Sequence, residues 1–181
     1  MRMSRMTLVL ARAAVFAAIA VRVGAQTTYR RAVIDTAGQL RLITSAGKTI
    51  APPKDSGQIG FQSAAISDDR RSVGWLALYP SCCTTYPIPQ KLVVRTPGRV
   101  RVFDGSGFPI WRWAFIDDAK LIAYRQAPVH GDAPAHYDLL DLETGKLIDQ
   151  FDMPAGDSSA TRSALPLWVR AVDGLRGESR G

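Results

Sequence analysis

The sequence has little charge of one sign once its two ends are set aside. Its 181 residues carry 23 basic and 16 acidic side chains, for a formal charge of +7. Four arginines and no acid precede Gln26, and the segment after Thr161 has a further excess of two positive charges. The body between them is therefore close to neutral, at +1. Because phosphate contacts need a basic surface, we do not expect this body to bind nucleic acid.

The sequence also lacks a membrane-length apolar run and the short motifs of common enzymes. The apolar run at residues 13–21 is far shorter than the roughly 20 residues that cross a bilayer. There is no G-x-S-x-G elbow, no H-E-x-x-H zinc motif, no P-loop and no Rossmann glycine pattern. We therefore expect a non-enzymatic protein, unless its few cysteines and histidines carry chemistry.

The start of the chain has the pattern of an export signal. Its basic head holds Arg2, Arg5 and Arg12. The apolar run AAVFAAIAV follows, and residues 23–25 (VGA) resemble the small-residue site at which signal peptidase cleaves. The pattern predicts a signal peptide over residues 1–25, with an uncleaved anchor or a different start site as the alternatives. We expect a periplasmic or secreted protein with no stable membrane span after cleavage.

The body contains a repeat with a period of 49 residues. Residues 65–75 (AISDDRRSVGW) and 114–124 (AFIDDAKLIAY) share an apolar stretch, an Asp-Asp pair and an alternating stretch that ends in an aromatic residue. This pattern predicts a hairpin in which the aspartates cap backbone N–H groups of the turn. A second turn recurs around Gly47, Gly98 and Gly145. Two hairpins in each period predict a four-stranded antiparallel unit.

The first hairpin resembles the S-P-D-G-x-x-I-A-F/W motif of TolB-type, WD40-like β-propeller repeats, without its Pro and Gly. Residues 141–146 (DLETGK) are similar to the D-x-x-T-G-K strand end of such blades. The resemblance implies an all-β fold of about three four-stranded blade-like units within residues 26–161. Because closed propellers have at least four blades, we expect a partial propeller or one completed by a second copy. Open edge strands favour a homodimer.

Residues 162–181 differ in character from the repeats. Pro166 is placed to begin a short helix that covers one end of the sheets, and residues 177–181 are expected to form a disordered tail. The predicted covering face of this helix consists of Leu167, Trp168, Ala171, Val172 and Leu175.

The only two cysteines are adjacent, at Cys82 and Cys83 in a proline-bracketed loop. In an oxidising compartment they predict a vicinal structural disulfide, with a redox element or pairing to another chain as alternatives. One repeat further along, the same loop position lies between the only two histidines, His130 and His136. The loops at residues 80–89 and 128–137, which we call the rim, are therefore expected to lie side by side.

The rim supports two functional hypotheses. In the first, it binds a protein or peptide partner in the periplasm and no cofactor is needed; the candidate contact residues are Tyr86, His130, Asp132 and His136. In the second, the rim holds Zn or Cu and performs thiol- or metal-dependent redox or hydrolytic chemistry. The candidate ligands are Cys82, Cys83, His130 and His136, with Asp132 as an oxygen alternative. Neither C-x₂-C nor H-x₃₋₅-H zinc spacing is present.

We expect native mass spectrometry of the exported protein to show a metal-free chain that begins at Gln26 and has no free thiol. Adding a reductant should then add two hydrogen atoms, because the predicted disulfide opens to two thiols. A stoichiometric metal adduct that is lost when Cys82 and Cys83 are both replaced by serine would contradict the structural disulfide and favour the metal hypothesis.

Overall fold

A computed structural model describes residues 27–130, 133–153 and 164–174. Within them the chain forms three antiparallel sheets of three, four and four strands, and then one short helix. The predicted signal peptide, both predicted domain boundaries and the predicted tail lie outside the described residues. The all-β prediction and the C-terminal helix are confirmed, although the first sheet has three strands instead of four.

Each sheet is a meander in which successive strands pair. The first sheet consists of β1 (Tyr29–Ile34), β2 (Leu40–Thr44) and β3 (Thr49–Ile50). The second consists of β4 (Gly60–Ile66), β5 (Val73–Tyr79), β6 (Ile88–Thr96) and β7 (Arg99–Asp104). The third consists of β8 (Ile110–Ile116), β9 (Leu121–Gln126), β10 (His136–Asp141) and β11 (Leu147–Asp152). The helix α1 spans Leu167–Val172.

The repeated Asp-Asp pairs lie in hairpin turns, as the pattern predicts. Between β4 and β5, the carboxylate of Asp69 accepts the Arg71 backbone N–H at 2.9 Å and the Ser67 hydroxyl at 2.5 Å. Between β8 and β9, residues 117–119 have φ values of +49°, +49° and +64°. The second predicted turn is also present: φ is +79°, +77° and +76° at Gly47, Gly98 and Gly145. Local turn chemistry therefore sets where the hairpins reverse.

Neighbouring sheets stack and bury an apolar layer between them. Strand β5 shows the arrangement, because Trp75 packs toward the first sheet and Leu76 toward the third, and both are buried. The layer between the first two sheets contains Tyr29, Leu40, Leu42, Phe61, Val73 and Trp75. The layer between the second and third contains Leu76, Leu92, Val94, Phe103, Ile110, Ile122, Tyr124, Leu140 and Leu142. Burial on both faces accounts for the continuous apolar sequence of β5 (VGWLALY).

The small residue before the aromatic position of the first repeat is required by packing between sheets. A Cβ built on Gly74 would lie 2.5 Å from Cη2 of Trp113, which is closer than real carbon atoms approach. The Trp113 indole is held there, because its N–H donates to the Ser63 carbonyl at 2.9 Å and its ring packs edge-on against Phe115. Gly74 therefore sets how closely β5 and β8 pack.

Helix α1 covers the outer face of the third sheet. Its covering side is formed by Val169 and Val172, together with Leu165 just before the helix. Val169 and Val172 are three residues apart and share one side of the helix, whereas Leu165 precedes it and packs against the same cluster. The predicted covering face was therefore partly wrong: Leu167 is 74% exposed, and Leu175 lies outside the described residues. In the described residues the sheets form an open stack and not a closed barrel.

We expect Gly74→Ala to destabilise the fold by about 1–3 kcal/mol, because the added methyl group overlaps the Trp113 indole. Chemical denaturation of the wild type, Gly74→Ala, Trp113→Phe and the double variant measures this. The smaller ring of Trp113→Phe should make room for the methyl group, so the double variant should lose less stability than the two single losses summed. Strict additivity would show that this contact does not limit the packing.

Candidate functional site

The two loops of the rim come together at one edge of the stack. The loop after β5 and the loop after β9 leave equivalent ends of neighbouring sheets. Nε2 of His130 lies 3.2 Å from the carbonyl oxygen of Cys83, so the loops are in contact. In the same loop as Cys83, Tyr86 is 51% exposed. Asp132, another candidate, lies outside the described residues.

The cysteine pair lies on the exposed surface of the rim. The Sγ atoms of Cys82 and Cys83 are 2.9 Å apart and are not bonded to each other in this structure. The loop is stabilised locally, since the Cys83 backbone N–H donates to Ser81 Oγ at 3.2 Å and the Thr84 hydroxyl donates to the Tyr86 carbonyl at 2.5 Å. The hydrogen bond between the two side chains and the charge of Cys82 raise the pKa of the Cys83 thiol. The disulfide stays a prediction that thiol titration can decide.

His136 is the centre of a polar network and does not join the cysteines. Its Nδ1 lies 2.5 Å from Asp152 and its Nε2 lies 2.9 Å from Asp138. The second oxygen of Asp138 accepts the side-chain N–H of Gln126 at 2.7 Å, and both of these residues are buried. Gln126 in turn accepts the backbone N–H of Ser106 at 2.6 Å. The network thus ties β10 to β9, β11 and the loop before β8.

The protonation of His136 follows from this network. Burial alone lowers the pKa of His136, but its hydrogen bond to Asp152 and the charge of Asp138 outweigh that effect and raise it above 6.5. When the ring is protonated, it donates to a carboxylate from each nitrogen, to Asp152 from Nδ1 and to Asp138 from Nε2. This arrangement stabilises the end of the third sheet beneath the rim loop at residues 128–137.

The structure does not bring the four predicted metal ligands to one point. Both ring nitrogens of His136 are engaged by carboxylates, whereas His130 faces the backbone of Cys83. Among residues 27–130, 133–153 and 164–174, no group of three or more His, Cys, Asp and Glu side chains is placed to hold a metal ion. Zinc or copper binding at the rim therefore stays a hypothesis without support from this geometry.

The face of the second sheet carries a groove that the sequence patterns did not predict. The groove has a volume of about 580 Å³ and lies between the segment after β3 and strands β5–β7. Its walls are formed by Pro52, Pro53, Lys54, Asp55, Gln58, Trp75, Lys91, Val93, Arg95, Val100, Val102 and Asp104. The signal that could have indicated it is the run VRV in β7, whose valines are left exposed.

No protein-family model matches the chain, and no curated protein matches it. Of the helical segments in the part of the chain that the structure describes, none is long and apolar enough to cross a membrane.

We expect the contribution of His136 to stability to fall as pH rises. Its raised pKa means that the folded state holds the proton more tightly, so the stabilisation is present below about pH 6.5 and is lost as pH passes the folded value. Urea unfolding at about pH 5.5 should show His136→Gln to be less stable than the wild type by 1 kcal/mol or less, with the gap closing near pH 8.5. A gap that widens with pH would refute this assignment.

Proposed function

We propose that the protein is a non-enzymatic binding module of the periplasm or the extracellular space, which recognises a protein or peptide partner through its rim. The observation that carries the proposal is the contact between His130 and Cys83, which joins the two rim loops into one surface. Loops held by a rigid scaffold are where binding residues concentrate. The strands beneath these loops are part of two stacked, buried layers.

The two edges of the stack differ in a way that favours the rim. At the opposite edge, turns such as the Asp117–Lys120 turn connect strands with few residues between them. The rim has longer loops, and it exposes the ring of Tyr86 in the loop that contacts His130. An exposed tyrosine offers a large apolar surface with a polar tip, which is typical of binding surfaces.

The resemblance to TolB-type, WD40-like repeats supports a partial propeller as the architecture of this module. Because α1 covers the third sheet, the outer face of the first sheet is the end left for a second copy. Alternation along β1 and β2 places Arg31 and Arg41 on that face, opposite the buried Leu42. Asp35 pairs with Arg41 at 3.4 Å, so only Arg31 would bring an unpaired like charge together in a two-fold dimer through this face.

The alternative thiol- or metal-dependent activity has less support. The raised pKa of the Cys83 thiol leaves less thiolate at Cys83 itself at neutral pH. His136 is held by Asp138 and Asp152 and is not available as a base or ligand for the cysteine loop. The rim residues are therefore better suited to recognition than to catalysis.

Photo-crosslinking in the exporting cell tests the binding proposal. We expect a photo-reactive phenylalanine derivative at position 86 to give one discrete crosslinked product, and the same group at position 118 on the opposite edge to give none. For the partner identified in this way, Tyr86→Ala should weaken binding by about tenfold and Asp118→Ala should not. Equal crosslinking at both positions, or a partner whose affinity ignores Tyr86, would contradict a specific rim.

A further inference from the structure

The groove on the second sheet exists because the first sheet is one strand short. Strand β3 contains only Thr49–Ile50, and the chain then passes into Pro52 and Pro53 in place of a fourth strand. On β7, Phe103 faces the third sheet and is 8% exposed, whereas Val100 and Val102 on the other face are 56% and 51% exposed. An apolar strip of the second sheet is thus left without cover.

The floor of the groove is ordered by strand register. Trp75 pairs with Val93, and Val93 with Val102, so that these three residues form one apolar row across β5, β6 and β7. The next row toward one end carries Arg95 and Val100, and the next row toward the other end carries Lys91 and Asp104. Because alternate residues of a strand share a face, an apolar row lies between two rows that carry charge.

The basic side chains at the two ends of the groove differ, because Lys91 has an acidic partner and Arg95 has none among the described residues. Lys91 forms an ion pair with Asp55 at 2.5 Å, and Asp55 also accepts the Tyr79 hydroxyl at 3.0 Å. Arg95 at the other end has no ion pair and no side-chain hydrogen bond within the described residues. Lys54 also lines the groove, but its Nζ donates to the Ile59 carbonyl at 3.3 Å and lies over the Phe61 ring. Among the described cations of the groove, Arg95, next to exposed Val100, is therefore the one without a partner.

A second observation indicates that this wall lacks an acceptor. Trp75 is 3% exposed, and its indole N–H has no hydrogen-bond partner among the described residues. A buried donor without an acceptor costs about 1–3 kcal/mol. Because this nitrogen has no accessible surface, a ligand in the groove meets the ring of Trp75 and does not reach its N–H.

We propose that the groove binds a small organic carboxylate with an aliphatic or aromatic body. The body lies along the Trp75–Val93–Val102 row, and the carboxylate pairs with Arg95. The volume of about 580 Å³ lies within the range of small-molecule sites. The acids Asp55 and Asp104 disfavour a second anionic group at the far end.

Matched probes test the proposal on the full mature chain. Octanoate has the apolar body and the carboxylate, n-octylamine has the same body with the opposite charge, and acetate has the carboxylate alone. We expect calorimetric titration to show saturable one-to-one binding of octanoate, with the other two at least about tenfold weaker, as the loss of one charge-assisted bond implies. Tryptophan fluorescence should change with octanoate at the same midpoint.

Substitutions then locate the site. We expect Arg95→Gln to weaken octanoate binding by about tenfold, and Lys48→Gln, which removes one positive charge from an exposed turn outside the groove, to leave it unchanged. Arg95→Glu should reverse the preference from octanoate to n-octylamine. Thermal unfolding checks that each variant folds. If Arg95→Glu does not fold, the affinity of Arg95→Gln for octanoate alone tests whether Arg95 binds the carboxylate.

Three results would overturn the proposal. The first is no saturable octanoate binding, or equal binding of octanoate and n-octylamine by the wild type. The second is octanoate binding that both Arg95 variants leave unchanged, since the ligand would then lie elsewhere. The third is a wild-type dimer in sedimentation that Val102→Glu dissociates, because a second copy of the chain would then cover the groove. Each result leaves the rim proposal intact, because the groove and the rim use different residues.

Discussion

The structure depends on the burial of the apolar faces that neighbouring sheets present to each other. Strand β5 buries Trp75 on one face and Leu76 on the other, so the second sheet requires a neighbour on each side. Burial of such side chains provides about 1.5–3 kcal/mol each, which a single meander in water cannot obtain. The close contact of Gly74 with Trp113 shows how tightly one of these layers is packed.

The same requirement explains the features of the surface. Where a cover is present, as with α1 on the third sheet, the apolar residues are buried. Where cover is incomplete, as over Val100 and Val102, a groove remains. The rim loops connect strands whose ends are held by these layers, so the loops project from a rigid base. The two candidate sites therefore lie where the strands of the stack end, at the rim, and where one sheet lacks cover, at the groove.

The two histidines illustrate how far the candidate site could be predicted. The repeat places His130 and Cys83 in equivalent loops, and equivalent loops of stacked sheets are neighbours, so their contact follows from the period. The partners of His136 do not follow from it. Asp152 reaches His136 only because β10 and β11 pair in a particular register. The groove was missed because it results from a strand that the first sheet does not have.

By itself, the sequence determined the all-β class, the positions of the hairpin turns and a short helix after Pro166. These features depend on local chemistry, such as aspartate capping and the positive φ at Gly98. Only the tertiary structure decided which side of α1 covers the third sheet, what surrounds His136 and which valines of β7 stay exposed. Those outcomes depend on contacts between segments far apart in the chain, which no local pattern encodes.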